Sequence, residues 1–214
     1  MTGKTKIHIA NVSLEKESAL TSEDKAKFGY FGENAKIMPP YRILNPQNIF
    51  VGDGTVIREG SHISAFTDLS FLLMHVEPQY RTDFDIDAYR YKSRIEFGRA
   101  VQAGRFLFIS CTNSVSIGDD VLLSERIFIG DNNHGFSHPD VPIVHQPNTR
   151  GRPVAIGRGS WIGVGAALLG GTELGRNCVV GANAVCRDMS CESHSVIGSE
   201  TAKVLYRRRA SDEA

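Results

Sequence analysis

The sequence predicts an all-β solenoid, a coil of short parallel strands stacked turn on turn, and three observations predict it. The first is a period of six in the C-terminal third, IGRGSW, IGVGAA, LLGGTE, LGRNCV, VGANAV and CRDMSC, with a large aliphatic at Ile156, Ile162, Leu168, Leu174 and Val180 before the pattern weakens at Cys186. The second is the small fifth position, filled by Ser160, Ala166, Thr172, Cys178, Ala184 and Ser190. The third is the same spacing upstream: Val51, Ile57 and Ile63; Phe97, Ala103 and Ile109; Ile117, Leu123 and Ile129. Six residues make one short strand and one corner, and one large and one small side chain pointing inward let successive turns bury a continuous narrow core. Glycine follows the aliphatic at Gly157, Gly163, Gly175 and Gly181, where a sharply turning chain gains from the missing Cβ. The phase slips between Ile109 and Ile117, which suggests a bulge at a corner.

The elements follow in order. Residues 1–30 form an N-terminal extension in which TSEDKAKF reads as a short helix, with Thr21 or Ser22 as N-cap and Glu23 and Asp24 favourable in its first turn; it would cover one open end of the stack. The coil domain runs over 31–205. Two stretches within it, 67–94 and 131–153, lack the repeat and are read as excursions leaving the coil, the usual place for ligand-binding loops. Lys203 to Arg209 would cover the far end, with 206–214 as a tail.

Composition narrows the function. The chain has 214 residues, 41% apolar and 22% charged, with 24 basic and 24 acidic side chains, so no global field draws it toward nucleic acid or an anionic membrane. No apolar run approaches the ~20 residues of a membrane span, and the start MTGKTKIHIANVSLEKESAL is too charged for a signal sequence, giving a cytoplasmic expectation. Cys111, Cys178, Cys186 and Cys191 match no C-x-x-C spacing and read as small buried or half-buried thiols.

The second excursion opens with DNNHGFSHPD, which sets His134 and His138 four apart. On a helix that pair would suit a metal, but Gly135, Pro139 and Pro142 argue against a helix there. From the residues alone a metal clasp, a catalytic base and a polar loop all remain open.

The hexapeptides, the His-bearing loop after IFIGD, RPVAIGRGSWIG, VVGANAV and the closing TAKVLYRR together resemble the hexapeptide-repeat acyltransferases, nearest the maltose and galactoside O-acetyltransferases and their relatives acting on bacterial surface polysaccharides. The resemblance is strong over 95–209, looser over 29–66 and absent over 67–94. It implies a left-handed triangular β-helix, a handedness opposite to the usual preference of parallel crossovers. It also implies a homotrimer with acetyl-CoA in the groove between two subunits and acetyl transfer to a sugar or oligosaccharide hydroxyl; the transfer is expected to be direct, because no Cys or Ser stands with a base in the loop to carry an acyl group.

The same resemblance makes His134, five beyond the inward Ile129, the general base; a near-neutral pKa suits proton transfer from a hydroxyl attacking a thioester. One ring nitrogen would take the proton while a carbonyl or amide partner fixes the other. Asn132 and Asn133 would orient that ring or line the acceptor pocket, or serve only as turn residues, and His138 is a loop or substrate-contacting residue rather than a metal ligand. For acetyl-CoA the implied contacts are Trp161, Val164, Ala182, Arg187 and Lys203, although GSETAKV departs from the usual closing turn. Positions that carry polar acceptor ligands in relatives correspond here to Phe106 and Cys111, so a different acceptor is expected; Asp83, Asp85 and Asp87 with Tyr80, Arg81, Tyr89 and Tyr91 of the first excursion are either its replacements or part of a loop that packs on the trimer and binds nothing. N-acetylation of an amino sugar, a γ-class carbonic anhydrase-like zinc enzyme and a non-catalytic scaffold stay open, the zinc reading being disfavoured because that class spaces its histidine pair five apart.

Overall fold

The computed structural model describes residues 13–68 and 90–198, and within them the chain winds as a left-handed parallel β-helix with three seven-stranded faces. Sheet A holds Ser13–Lys16, Tyr41–Leu44, Ser61–Ala65, Phe108–Cys111, Phe128–Gly130, Ala167–Leu169 and Val185–Cys186. Sheet B runs from Tyr30–Phe31 through Ile49–Val51, Arg94–Phe97, Ser114–Ile117, Val154–Ile156 and Glu173–Leu174 to Ser190–Cys191. Sheet C runs from Lys36–Ile37 through Val56–Ile57, Gln102–Ala103, Leu122–Leu123, Trp161–Ile162 and Val179–Val180 to Val196–Ile197. Among the described strands of these sheets, Ser13–Lys16 alone runs antiparallel to its neighbour.

The period of six becomes three internal columns. Ile63, Ile109, Ile129 and Leu168 stack behind sheet A, Val51, Phe97, Ile117 and Ile156 behind sheet B, and Ile57, Ala103, Leu123 and Ile162 behind sheet C, all buried. Each fully buried Ile or Leu contributes about 1.5–3 kcal/mol relative to exposure. The small fifth positions Ser160, Ala166, Thr172, Cys178 and Ala184 are buried as well, but Ser190 is exposed. One residue is missing at the preceding corner, so Cys191 rather than Glu192 takes the inward place opposite Leu174.

The glycines that follow the aliphatics do not make the turn. Their φ values are not positive, and the reason for them is contact: a Cβ on Gly163 would lie 2.7 Å from the Ala182 nitrogen of the next coil. The left-handed residue comes two positions later, at Gly159 and Gly165 with φ of +70° and +69°, and at Asn177 and Asn183 with +52° and +56°, where Gly and Asn are the least strained choices.

At the N-terminal end the helix is a single turn, Ser22–Lys25, shorter than TSEDKAKF suggests. Thr21 is its N-cap in a reciprocal capping box with Asp24. Leu14 and Phe28 are buried beside it in the core. The cysteines are free, three of them buried. Among the described residues no helix is long and apolar enough to cross a membrane.

Every irregularity falls at one edge of the prism, where the chain passes from sheet A to sheet B. The first excursion begins there after Ala65, Thr112 and Asn113 alone make the same passage one coil later, and the second excursion leaves there after Gly130.

Candidate functional site

Side chains alternate in and out along a strand, so the neighbours of the buried Ile63, Ile109 and Ile129 point out from sheet A. Register aligns them into two rows: Arg42, His62, Phe108 and Phe128 in one, Leu44, Ser64, Ser110 and Gly130 in the other. The start of the second excursion stands over these rows and encloses a pocket of about 360 Å³ whose wall is Asn132, Asn133, His134 and Asn148. Its floor is aromatic. Phe108 and Phe128 lie near-parallel, centroids 5.6 Å apart at 25°, and His62 meets Phe108 at 4.7 Å, tilted by 58°. The Phe128 ring folds back over Gly130, where a Cβ would come within 2.8 Å of it.

The pocket also contains a pair that the sequence reading did not assemble. Ser64 Oγ lies 2.9 Å from His62 Nε2. Burial, and then the nearby Arg42 charge, lower the His62 pKa, which keeps the ring neutral near pH 7.

What holds the wall is a buried carboxylate at its foot. Asp131, 3% exposed, accepts from the Thr112 and Asn113 backbone N–H groups at 2.8 and 2.7 Å and from Asn132 Nδ2 at 3.0 Å. The Cys111 thiol lies 3.2 Å from the same carboxylate; burial and then the Asp131 charge push its pKa up, so the thiol stays protonated and donates. The Asp131 carbonyl accepts from Arg152 N–H at 2.9 Å, and Gly151 N–H donates to Thr112 Oγ1 at 2.8 Å. Both ends of the excursion are therefore fastened to the corner of the coil beneath.

Further out the loop pairs with itself. His134 and Asn148 form an antiparallel bridge, flanked by Gly135 N–H to Pro147 O and Thr149 N–H to Asn133 O. The buried Gln146 side chain donates to the carbonyls of His138 and Val141. No α-helix forms around His134 and His138, in line with the glycine and prolines; the excursion's single helical turn is a 3₁₀ turn at Ile143–His145. His134 reaches the pocket wall through a fixed backbone, whereas the described residues give its ring no hydrogen-bond partner, so the expected orienting carbonyl or amide is not found among them.

The carboxamides beside it are ordered by elimination. Asn132 Nδ2 faces the Ser110 carbonyl and the Asp131 carboxylate, which can only accept. Asn132 Oδ1 must then be the acceptor for Asn148 Nδ2 at 3.2 Å. That leaves Asn148 Oδ1, on a side chain 7% exposed, buried without a donor, an arrangement that costs about 1–3 kcal/mol unless a hydroxyl or amine supplies one.

The other expected residues fall elsewhere. His138 is exposed on the outer part of the excursion and does not line the pocket. Phe106 sits at the corner between sheets C and A, and Cys111 points into the core; on that coil the pocket-lining positions are Phe108 and Ser110 instead. Tyr91 is 6% exposed and spends its hydroxyl on the Asn148 carbonyl at 2.7 Å. It buttresses the second excursion rather than offering a free sugar-binding group. Asp83, Asp85, Asp87, Tyr80, Arg81, Tyr89 and Lys203 lie outside the described residues.

Of the acetyl-CoA residues, Val164 lines a second groove of about 560 Å³ with Arg58, Gln102, Leu122 and Ser124 on sheet C and its corner with sheet A. The half-exposed Trp161 donates Nε1–H to Ser124 at 3.0 Å beside it, and Ala182 stacks over Gly163 on the same corner. Arg187 is exposed at the opposite edge of sheet A. This groove and the pocket over sheet A are separate on one chain, and the structure does not bring Arg187 together with Val164 and Ala182. Among the described residues no three His, Cys, Asp or Glu side chains gather as metal ligands.

The signal for the missed residues was present: once Ile63, Ile109 and Ile129 are inward, the flanking residues of SHIS, FIS and FIG must be outward.

Comparison with known proteins places this geometry. Residues 153–188 match the family model of the bacterial transferase hexapeptide (six repeats). The chain is 36% identical over 124 residues to a probable acetyltransferase of Mycobacterium tuberculosis, covering 58% of this chain and 41% of that protein. It is also 36% identical over 121 residues, 52% of this chain and 59% of its counterpart, to Escherichia coli WbbJ, which bears the name of a lipopolysaccharide biosynthesis O-acetyl transferase. The chain spans about half the length of these curated relatives. Among solved structures, AntD, an N-acyltransferase from Bacillus cereus in complex with dTDP and coenzyme A, superposes with a TM-score of 0.61 at 15% identity, covering 90% of this chain and 92% of that one, a likeness of fold. The protein is a hexapeptide-repeat β-helix similar in sequence to acetyltransferases.

Proposed function

We propose that this hexapeptide-repeat protein is an acetyl-CoA-dependent O-acetyltransferase acting on a carbohydrate hydroxyl, with His134 as general base. The observation that carries the reading is the pocket over sheet A: a stacked aromatic pair that gives it an apolar base, a wall of carboxamides suited to the hydroxyls of a sugar, and one histidine held at the wall by a bridged backbone. Names of relatives add support, since an O-acetyl transferase and a further acetyltransferase are similar over more than half of this chain.

In the proposed reaction the acceptor hydroxyl gives its proton to a His134 ring nitrogen as its oxygen attacks the thioester carbonyl. The C–S bond then breaks, and the imidazolium returns the proton to the departing thiolate. Asn133 and Asn148, which line the same wall, would orient the sugar through its other hydroxyls. Trp161, Val164 and Ala182 would hold the pantetheine arm, with Arg187 and Lys203 toward the phosphates. Because Val164 and His134 belong to different faces of one chain, the reading includes a trimer in which one subunit's groove meets the next subunit's pocket, and sedimentation should return three copies. A cytoplasmic location belongs to the same reading.

Transfer is proposed to be direct. The Ser64–His62 pair makes the covalent route testable: incubated with acetyl-CoA alone, the intact protein mass should not change. The deciding experiment is CoA release over a panel of sugars, oligosaccharides and amino sugars. His134→Ala should lose about 10²–10⁴ in kcat while melting as wild type does; full activity in that variant would remove the base assignment.

A further inference from the structure

The strand that breaks the parallel pattern, Ser13–Lys16, brings a carboxylate to the edge of the pocket. We propose that its Glu15 is a specificity-determining residue: by pairing with Arg42 it cancels the permanent charge on the pocket lining, so that an uncharged acceptor is selected over one carrying a carboxylate or an ammonium group. The inference rests on the acetyltransferase reading and adds the charge class of the acceptor.

The placement follows from register. Among the described residues that line the pocket, Arg42 is the one with a permanent charge; the Asp131 carboxylate lies buried at the foot of the wall with its oxygens engaged. Ser13–Lys16 pairs antiparallel with Tyr41–Leu44 and sets Glu15 directly opposite Arg42, where side chains start about 4.5–5.5 Å apart at Cβ. Arg42 Nε and Glu15 Oε1 meet as an ion pair. Alternation turns the flanking Leu14 and Lys16 to the other side of the strand. There Leu14 is buried and Lys16 is spent on the buried Asp24. The strand therefore presents the carboxylate of Glu15, and not the ammonium of Lys16, to Arg42.

Both charges are felt inside the pocket. After burial, the Arg42 charge lowers the His62 pKa and the Glu15 charge raises it, so the two act on one lining ring with opposite sign. The pair is about half exposed and adds little stability; its effect is on the ligand. Leu44, Phe66, Phe108 and Phe128 line the same cavity, and apolar walls screen a charge poorly. A unit charge about 10 Å from another shifts an equilibrium by between about twofold and about tenfold over the range from water to a protein surface. Arg42 without its partner would draw in a carboxylate and repel an ammonium. With Glu15 in place neither gains, and each must still shed water to enter.

The test uses the full chain with saturating acetyl-CoA and reads CoA release as kcat/KM for three matched acceptors. These are the neutral sugar that the acceptor panel identifies and the same sugar carrying either a carboxylate or an amino group at a carbon other than the one acetylated. In the unmodified protein the neutral sugar should exceed both charged ones by about tenfold or more. Glu15→Gln keeps the shape and removes the charge. At about 0.01 M salt it should raise the carboxylate-to-neutral ratio severalfold and lower the amino-to-neutral ratio, and about 0.5 M salt should erase both shifts, since the screening length falls from about 30 Å to a few ångströms. Arg42→Gln alone should move the two ratios the opposite way, and the double variant should return them toward the wild-type values. Opposite movement of the two ratios is the signature, because a merely loosened pocket would move both together. Unchanged ratios in Glu15→Gln and Arg42→Gln proteins that melt as wild type does would overturn the role of Glu15. A charged acceptor preferred by the unmodified protein would overturn the neutral class, and either result leaves the acetyltransferase reading standing. No transfer to any acceptor, with acetyl-CoA bound, would overturn both.

Discussion

The coils and the second excursion are held by opposite means. In the coils, columns of Ile, Leu and Val repeat the same burial on three faces, so no single side chain decides where the backbone goes. In residues 131–153 few apolar groups are buried, and Ile143, Val144 and Phe136 are more than half exposed. There the path is set by Asp131, Gln146 and Asn148, three buried polar residues that each make several hydrogen bonds. The difference teaches that stability and placement are separable in this protein: apolar contacts are many and interchangeable, while buried polar contacts are few and directional.

That contrast predicts which substitutions damage what. Ile57→Ala, in the column behind sheet C and fully buried, should cost about 2–5 kcal/mol of stability by calorimetry, with activity per folded molecule close to wild type. Asp131→Ala comes next in stability, about 2–4 kcal/mol, because the Thr112 and Asn113 N–H groups lose their acceptor. Its distinguishing mark is activity: the loop loses its anchor, and turnover should drop at least tenfold in protein that is still folded by far-UV circular dichroism. If Asp131→Ala melted early but kept full turnover, the division drawn here between coil and excursion would be wrong. The smallest effect belongs to Gly130→Ala. Its Cβ would press on the Phe128 ring, which can swing aside, and would meet the Asn132 carbonyl at an ordinary 3.8 Å, so stability should move by less than about 1 kcal/mol while the KM for the acceptor rises severalfold.

The same contrast explains what was legible in the sequence. Columns formed by residues six apart need only local spacing to be seen, so Ile156 to Val180 and the three upstream triplets could be phased from the chain alone. Even the slip between Ile109 and Ile117 has a visible cause, since Cys111 and Val115 prolong the flanking strands and also face inward. His134 could be singled out only through the family resemblance, which puts a histidine five residues beyond an inward aliphatic such as Ile129. The pocket floor was legible only in part: the inward Ile63, Ile109 and Ile129 fix which neighbours point outward, but that His62 stands beside Phe108 depends on the pairing of coils separated by the first excursion. Asp131 was equally hidden: an aspartate after a strand looks like a turn residue, and its role depends on Thr112 and Asn113 of the preceding coil. The corner glycines show a third limit, since a missing Cβ is equally consistent with a turn and with close approach of another backbone.

The concentration of irregularity at the passage from sheet A to sheet B has a consequence for how such proteins diversify. Each excursion leaves and rejoins the coil at adjacent points on one edge, so its length can change while the pairing of the coils does not. Doubling an excursion adds only about 0.6 kcal/mol of loop-closure cost, little against the cohesion of the stacked columns. That edge works as a socket. Segments exchanged between the Asp131 carboxylate and the Arg152 N–H that closes on it should carry acceptor preference from one protein to another, leaving the sheet C groove and whatever binds there as inherited.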